Sequence, residues 1–313
     1  MNRGFITIAT GKDIYYQVAK NLLLSYKLSC PYPYPFAIMC DRENSITALF
    51  DRVVLLDNPL YSYWDKLALL KLAPFDETIF IDADCLAYSD LNQLWDYFEN
   101  APDFAGSGTN FPIDDERGIF LEEGLCEYRG RVHWKPHING GFYFIRRGPL
   151  CDKIYEDCMQ ICSHYDDFRF ADYVAYKGDE SVLSIAMAAN GIRSLEPRPA
   201  NIGIPWMSTE MTFDIFTGTC AYATQWHAYV PQGLLVHFGT RYCEKPHYLF
   251  EIEKLDLMLR KQLRPGNDLT EKLSLPEKLL YQCRLRLRVL QLVDLCRRLR
   301  NKLRRILNTP STR

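Results

Sequence analysis

Two aspartates, Asp82 and Asp84, directly follow an apolar run from Thr78 to Ile81 that is typical of a buried strand. A carboxylate buried without a partner costs several kcal/mol, so two of them at one strand end require an explanation. Three explanations fit these residue types. The carboxylates could hold a divalent metal ion, one could form a phosphorylated intermediate, or the strand could simply end in solvent.

The segments around this pair alternate between strand and helix patterns. Strand patterns occur in GFITIATG, PFAIMCD and RVVLLD, and then in TIFIDAD, which carries both aspartates. Helical patterns occur in DIYYQVAKNLLLSYKLS, in SYWDKLALLKLAPF and in SDLNQLWDYFEN, the last capped by Ser89 or Asp90. This alternation predicts a mainly parallel, twisted sheet with helices on both faces. Ligands of such sheets bind at the carboxyl ends of the strands, where Asp82 and Asp84 would lie.

Three later segments carry further polar residues that could contribute to a site. HINGGFYFIRRG is predicted to be a strand, GDESVLSIAMAANG a helix, and GLLVHFGTRY a strand followed by a turn. Residues 106–136 look like a loop, and residues 203–233 hold many aromatics with little periodicity. A helix is predicted over residues 246–263, followed by the linker RPGNDLT and a C-terminal tail.

The composition is that of a globular protein, with 48% hydrophobic and 24% charged residues among 313. No uncharged apolar run reaches 18 residues, so no membrane-spanning helix is expected. The start, MNRGFITIATG, is too short and too polar for a signal peptide. Eleven cysteines lack metal-ligand spacing, which favours reduced thiols in a cytoplasmic protein.

A phosphotransferase of the haloacid dehalogenase type is one alternative. That family also has a hydrophobic strand that ends in Asp-x-Asp, and KGDESVLSIAMAANGI looks like its later Gly-Asp motif. However, position 183 is Leu where a second acid is expected, and about eighty residues precede the aspartate pair, with which that family normally begins.

Taken in chain order, the motifs resemble those of family 8 of the retaining glycosyltransferases, which includes glycogenin and bacterial lipooligosaccharide galactosyltransferases. The resemblance covers roughly residues 4–250 and rests on several short motifs. It implies the GT-A fold, a UDP-sugar donor and a Mn²⁺ or Mg²⁺ ion. Such an ion needs hard oxygen ligands and neutralises charge on the departing diphosphate.

The resemblance also implies roles for individual residues. The metal ligands would be Asp82, Asp84 and His237. The donor-binding residues would be Ala9, Thr10, Tyr15, Lys66, Asn139, Gly140, Gly141, Gly239, Arg241 and Lys245. Within this set, Ala9, Thr10 and Tyr15 would contact the uracil, and Asn139 would bind the donor sugar.

Asp179 and Glu180 occupy the place of the family's Asp-Gln pair, and both are candidate catalytic residues. Asp179 would bind sugar hydroxyls, and Glu180 would lie near the reacting anomeric carbon. Retention can arise by front-face attack or through a covalent sugar–enzyme intermediate, and a carboxylate at position 180 could be the nucleophile of the second route. Alternatively, Glu180 caps the helix or binds a sugar hydroxyl.

Two departures from the family pattern bear on these roles. Lys245 lies eight residues after His237, two more than is usual, and His247 replaces a Trp, so Arg241 could share the diphosphate role. The segment HWKPHI before Asn139 lacks the expected acidic residue, which leaves the donor sugar open.

The C-terminal tail, residues 276–313, has eleven Lys/Arg and two Asp/Glu, whereas the rest of the chain has 26 and 37. An apolar stripe runs along it through Leu292, Cys296, Leu299, Leu303, Ile306 and Leu307. Such a basic amphipathic helix is typical of binding to an anionic membrane surface. The alternatives are packing on the acidic body or a dimer contact. Nucleic acid is not expected, because no basic, aromatic-lined groove accompanies the tail.

The sequence therefore predicts a GT-A domain over residues 1–265 and a membrane-association tail over residues 276–313. The predicted activity is metal-dependent, retaining transfer of a hexose from a UDP-sugar to a glycan hydroxyl. The acceptor would be a lipid-linked saccharide or polysaccharide precursor, with the protein peripheral on the inner face of the cytoplasmic membrane. The alternatives are the phosphotransferase and a catalytically inactive scaffold that binds nucleotide sugars.

Overall fold

The computed structural model describes residues 2–171, 174, 177–224, 229–266, 271–282 and 285–307. The strands within these residues are β1 (Arg3–Ala9), β2 (Phe36–Cys40), β3 (Arg52–Leu55), β4 (Glu77–Ile81), β5 (Cys85–Ala87), β6 (Phe104–Pro112), β7 (Trp134–Arg146), β8 (Ile202–Gly203), β9 (Ser208–Asp214), β10 (Thr219–Thr224) and β11 (Leu235–His237). The α-helices are α1 (Asp13–Ser29), α2 (Leu69–Leu72), α3 (Gln93–Tyr97), α4 (Pro149–Ser163), α5 (Asp179–Ala189), α6 (Pro246–Arg260), α7 (Leu275–Glu277) and α8 (Leu285–Leu307).

The main sheet has the strand order β3-β2-β1-β4-β7-β6, and β7 runs opposite to the other five strands of this sheet. Successive side chains of a strand point to opposite faces, so each central strand contributes side chains to an apolar layer on either face of the sheet. Phe5 packs in the layer that contains α1 and α6, and Ile6 packs in the layer that contains α4 and α5. The predicted mainly parallel sheet with helices on both faces is confirmed.

A second, smaller sheet joins distant parts of the chain in the order β5-β11-β8. β5 begins directly after Asp84, and β11 pairs with it antiparallel, with His237 opposite Cys85. This register places His237 beside the aspartates, although it lies 153 positions after Asp84 in the sequence.

The helix predicted over SYWDKLALLKLAPF is shorter than expected. It begins as a 3₁₀ helix over Tyr63–Ala68, and only Leu69–Leu72 is α-helical. In the 3₁₀ segment, the Asp65 carboxylate accepts hydrogen bonds from the backbone N–H groups of Leu60 and Tyr61 and so folds the preceding loop. The helix predicted over SDLNQLWDYFEN is also shorter and comprises only α3. Asp90, one of its two predicted capping residues, accepts a hydrogen bond from the Asn92 N–H.

Two regions with weak periodicity form strands that the sequence analysis missed. β6 lies in the segment expected to be a loop, and its glycines hide the alternation because β7 packs closely against them. A Cβ at Gly108 would lie 2.1 Å from the His137 carbonyl oxygen. The β9–β10 hairpin lies within residues 203–233.

The first part of the tail packs on α6. Lys261 pairs with Glu277, Tyr281 stacks on Phe250, and Arg286 pairs with Glu253. Further along α8, Leu292, Cys296 and Leu299 of the predicted stripe are exposed. The side chains of Leu303, Ile306 and Leu307 lie outside the described part, as does the 267–270 end of the linker.

No helix in the described ranges is both long and apolar enough to cross a bilayer. The cysteines at positions that the structure describes are all free of disulfides.

Candidate active site

Asp82, Asp84 and His237 converge at the carboxyl end of β4. The His237 Nε2 atom lies 3.0 Å from Asp84 Oδ1 and 3.6 Å from Asp82 Oδ2. Asp84 is buried, and the other two side chains are partly buried. The structure thus brings together all three side chains that the resemblance implied as metal ligands.

This cluster fits a divalent cation. Asp84 Oδ1 is buried and has no hydrogen-bond partner of normal geometry among the described residues, despite its 3.0 Å distance from His237 Nε2. The Lys66 ammonium pairs with the carboxylates of Asp82 and Asp179, whereas Asp84 has His237 as its ion-pair partner. Carboxylate oxygens with one imidazole are suitable ligands for Mn²⁺ or Mg²⁺, and Asp84 Oδ1, which lacks a hydrogen bond among the described residues, is an oxygen that such an ion could use.

The protonation of the cluster follows from burial and from close charges. Burial raises the pKa of Asp82, even though Lys66 opposes this shift. Burial alone would also raise the pKa of Asp84, but His237 and the Thr240 hydroxyl outweigh it and lower that pKa. Burial disfavours the His237 cation, yet Asp84 and Asp82 raise its pKa above the ordinary value.

Cys85 is a second neighbour of Asp84 and His237, with its sulfur within 4.8 Å of their ligand atoms. Burial raises the pKa of this thiol well above its ordinary value, so the sulfur stays protonated. A protonated, soft sulfur is a poor ligand for Mn²⁺ or Mg²⁺. We therefore assign the candidate metal site to Asp82, Asp84 and His237.

Lys66 connects the aspartate pair to the start of α5. Its Nζ lies 2.8 Å from Asp82 Oδ1 and 3.5 Å from Asp179 Oδ2. Burial alone would lower the pKa of Lys66, but Asp179 and Asp82 raise it well above the ordinary value, so the ammonium is charged. Lys66 therefore holds Asp179, one candidate catalytic residue, against the metal cluster.

The glycine pair on β7 allows two other side chains to approach. The backbone N–H of Asp82 donates to the Gly141 carbonyl, so β7 lies directly beside the aspartates. A Cβ at Gly140 would lie 2.9 Å from Glu180 Cγ, and one at Gly141 would lie 2.9 Å from His237 Nδ1. These glycines are needed for contacts within the protein, in addition to any approach of the donor.

Glu180 and Asn139 are fixed by hydrogen bonds to the same glycines. Glu180 Oε1 accepts from the Gly140 N–H at 2.6 Å, and Asn139 Oδ1 accepts from the Gly141 N–H at 2.7 Å. Burial, followed by the charge of Asp179, raises the pKa of Glu180 to about 7. The carboxylate is thus held in one place and is poised between its two protonation states near neutral pH.

A cavity of about 530 Å³ opens beside the aspartates. It is lined by Ile8, Thr10, Gly11, Lys12, Tyr15, Val18, Tyr61, Ser62, Tyr63, Lys66, Asp82, Ala83, Asp84 and Thr240. The predicted donor-binding residues Thr10, Tyr15 and Lys66 are in this set, and Ala9 is buried at the adjoining end of β1. Glu180 is not among the described residues that line the cavity.

The sequence analysis missed Tyr61 and Tyr63 at this cavity, and Asp65, which hydrogen-bonds to two of its lining residues. The buried Asp65 carboxylate accepts from the Thr10 hydroxyl at 2.9 Å and from the Tyr61 N–H at 3.1 Å. Tyr61 has φ 54°, which is uncommon for a residue with a Cβ. The only signal in the sequence was the cluster YSYWDK just before Lys66, whose aromatics could belong equally well to a core.

The predicted donor-binding residues after β11 do not all lie at the cavity. Gly239 has φ 67°, and the Thr240 hydroxyl donates to Asp84 Oδ2 at 2.9 Å, which links this turn to the metal cluster. Arg241 is exposed and lies over the Tyr242 ring. Lys245 lines a separate groove of about 730 Å³ between α6 and α8. Neither cation lines the cavity at the aspartates, so their diphosphate role remains a prediction.

Comparison with known proteins gives a result only at the level of structure. No family model matches the sequence, and no curated protein matches it. A crystal structure of the galactosyltransferase LgtC with donor and acceptor sugar analogues shares 13% identity, covers 86% of this chain and 100% of its own, and has a TM-score of 0.50. Weaker likenesses are an LgtC active-site Gln-to-Glu mutant (15% identity, 65% of this chain and 75% of that chain, TM-score 0.42) and mouse xyloside xylosyltransferase 1 (12%, 77% and 99%, TM-score 0.46).

The likeness to LgtC shows a shared fold, and the chain has the GT-A glycosyltransferase fold predicted from its sequence. Membership of family 8 in particular remains a prediction.

Proposed function

We propose that this chain is a metal-dependent, retaining hexosyltransferase that moves a sugar from a UDP-sugar to a hydroxyl of a glycan. The observation that carries the proposal is the convergence of Asp82, Asp84 and His237 beside a tyrosine-lined cavity. The shared fold with LgtC, whose crystal structure holds donor and acceptor sugar analogues, supports it.

The cavity is of a size and lining that suit a nucleotide. Its volume of about 530 Å³ falls in the range of small-molecule sites. Tyr15 and Tyr61 offer faces on which a uracil could stack, and the Thr10 hydroxyl, fixed by Asp65, lies at the same wall. The diphosphate would then point toward Asp82 and Asp84.

The divalent ion, when bound by Asp82, Asp84 and His237, would neutralise the charge that develops on the departing UDP. The residues around it position the donor sugar. Lys66 is a cation fixed beside the metal ligands by its ion pairs with Asp82 and Asp179. Asn139 and Asp179 provide oxygen atoms that can bind sugar hydroxyls near the anomeric carbon.

Two routes to retention remain open for this site. In front-face attack the acceptor hydroxyl adds on the side from which UDP leaves, and Glu180 only orients the sugar or the backbone. In the double displacement, ionised Glu180 attacks the anomeric carbon as the bond to UDP breaks, and the acceptor oxygen then displaces the carboxylate. The hydrogen bond from Gly140 to Glu180 fits the positioning role, and a pKa near 7 permits the nucleophilic one.

We further propose that the acceptor is a lipid-linked saccharide and that the tail holds the protein on the inner face of the cytoplasmic membrane. Leu292 and Leu299 are exposed on α8 between arginines, and each cation near an anionic surface contributes ~1 kcal/mol. The groups that anchor the base of the tail, Tyr281 and Arg286, leave this exposed stripe uncovered.

A screen of UDP- and GDP-sugars for Mn²⁺-dependent hydrolysis tests the activity. We expect release of the nucleoside diphosphate and free sugar from a UDP-hexose, abolished by chelation and by Asp84→Asn. Asp96→Asn, an exposed carboxylate on α3, is the matched control and should behave as wild type. Release of inorganic phosphate would instead support a phosphotransferase. Binding of the nucleotide sugar without turnover, in any acceptor mixture, would support the inactive scaffold.

A further inference from the structure

Trp206 is a large aromatic side chain that remains 41% exposed in the turn between β8 and β9. The turn is fixed, because the Met207 N–H and the Ser208 hydroxyl both donate to the Ile204 carbonyl, at 3.0 and 2.9 Å. A large aromatic ring on a hydrogen-bonded turn offers a flat, partly exposed surface on which a ligand can pack.

The ring of Trp206 is supported by residues of the candidate active site. It stacks on Tyr242 with a centroid distance of 5.3 Å and an interplanar angle of 9°, and it meets the metal-ligand candidate His237 edge to face at 5.6 Å. Arg241 lies over the Tyr242 ring as well. A Cβ at Gly239 would lie 2.8 Å from the Trp206 ring, so the glycine leaves room for this stack.

We propose that Trp206, backed by Tyr242, is the platform on which a pyranose ring of the acceptor stacks. This inference rests on the proposed glycosyltransferase function. The polarised C–H groups on one face of a pyranose suit the negative face of an indole, and a rigid aromatic loses little conformational entropy when it binds.

The location agrees with this role. Trp206 contacts His237 but is absent from the described lining of the nucleotide cavity, so a bound nucleotide would leave the platform free. The turn that carries Tyr242 also carries Thr240, which lines that cavity and donates to Asp84. A sugar on Trp206 would therefore lie beside the metal cluster, where its hydroxyl must come within ~3–3.5 Å of the anomeric carbon.

Saccharide binding can be measured without turnover. Saturation-transfer NMR is recorded with methyl β-glucoside, methyl β-galactoside, lactose and cellobiose as probes, on the full chain with UDP and Mn²⁺. We expect binding of at least one probe by wild type, and a roughly tenfold weaker Kd in Trp206→Ala, equivalent to about 1.4 kcal/mol. Trp206→Phe should recover much of the affinity because it keeps a flat ring, whereas Trp206→Leu should not. Tyr32→Ala, which removes an 87% exposed aromatic from the loop after α1, is the matched control and should bind as wild type.

The activity assay separates this inference from the function on which it rests. If a UDP-hexose is hydrolysed, Trp206→Ala should lower the ratio of transfer to hydrolysis, because only transfer requires the acceptor. Absence of nucleotide binding and hydrolysis in wild type would contradict the proposed function, while the NMR comparison would still decide the platform. Equal probe binding by wild type, Trp206→Ala and Trp206→Leu, or no binding of any probe by wild type, would overturn the platform.

Discussion

Replacement of Lys66 by Met should destabilise the metal-free protein by about 3–5 kcal/mol, because loss of one partner of a buried ion pair leaves an uncompensated charge. Lys66 lies 2.8 Å from Asp82 and 3.5 Å from Asp179, and it is the cation that this carboxylate cluster contacts most closely. Methionine has a similar length and fills the space, so the loss reports on charge and not on a cavity. For a body of about 265 residues the unfolding entropy is ~0.6 kcal/mol/K, so the melting temperature should fall by roughly 5–10 °C.

Addition of Mn²⁺ with UDP should remove part of this deficit, because the ion would neutralise the carboxylates that Lys66 no longer pairs. Thermal unfolding of wild type and Lys66→Met with chelator, and then with Mn²⁺ and UDP, measures both effects. Lys71→Met is the matched control, because the exposed Lys71 makes a 3.8 Å pair with Asp152 and lies over the Tyr155 ring, and its loss should change stability by no more than ~1 kcal/mol. The charge-pairing role of Lys66 would be wrong if Lys66→Met lost as little stability as Lys71→Met, or if Mn²⁺ with UDP left its loss of stability unchanged.

Three further predictions concern protonation and the tail. The pKa of Glu180 is raised to about 7, so protonated Glu180 stabilises the fold fully below the pKa of the unfolded chain, and this stabilisation is lost as pH rises through about 7. In denaturant titrations of the metal-free protein, the free energy of unfolding of Glu180→Gln should therefore rise relative to that of wild type by on the order of 1–2 kcal/mol between pH 5 and pH 8. A difference between the two proteins that stays constant with pH would contradict this prediction. The pKa of His237 is raised by Asp84 and Asp82, so a metal ion must displace a proton from this imidazole in order to bind. The Mn²⁺ affinity measured by calorimetry should therefore rise with pH through the His237 pKa, and the proton release on binding should disappear in His237→Asn. Deletion of residues 276–313 should abolish sedimentation with anionic liposomes, and ~1 M salt should weaken binding of the intact chain; equal binding to neutral vesicles would argue against the electrostatic part.

The strands that carry the site could be predicted from the sequence because their signal is local. β1, β2 and β4 are short apolar runs bounded by polar residues, and Asp82 falls where the last of them ends. β6 and the β9–β10 hairpin could not be predicted, since glycines and exposed edge positions remove the apolar–polar alternation that is typical of a strand.

The candidate metal set was implied by family resemblance, and the physical reason for its convergence became visible only in the structure. No sequence pattern around His237 announces that β11 will pair with β5, because strand pairing over 153 positions depends on the whole fold. Asp65 and Trp206 were missed for a related reason. One acts by binding backbone N–H groups of a loop and the other by stacking on a residue 36 positions later, and neither contact has a sequence signature.

Calorimetric titration with UDP, with and without Mn²⁺, measures whether the aspartate pair joins a metal to a nucleotide. We expect one UDP bound per wild-type chain in the presence of Mn²⁺, much weaker binding in chelator, and loss of the Mn²⁺-dependent part in Asp84→Asn, with Asp96→Asn unchanged. UDP binding of equal strength with Mn²⁺, with chelator and in Asp84→Asn would contradict the account.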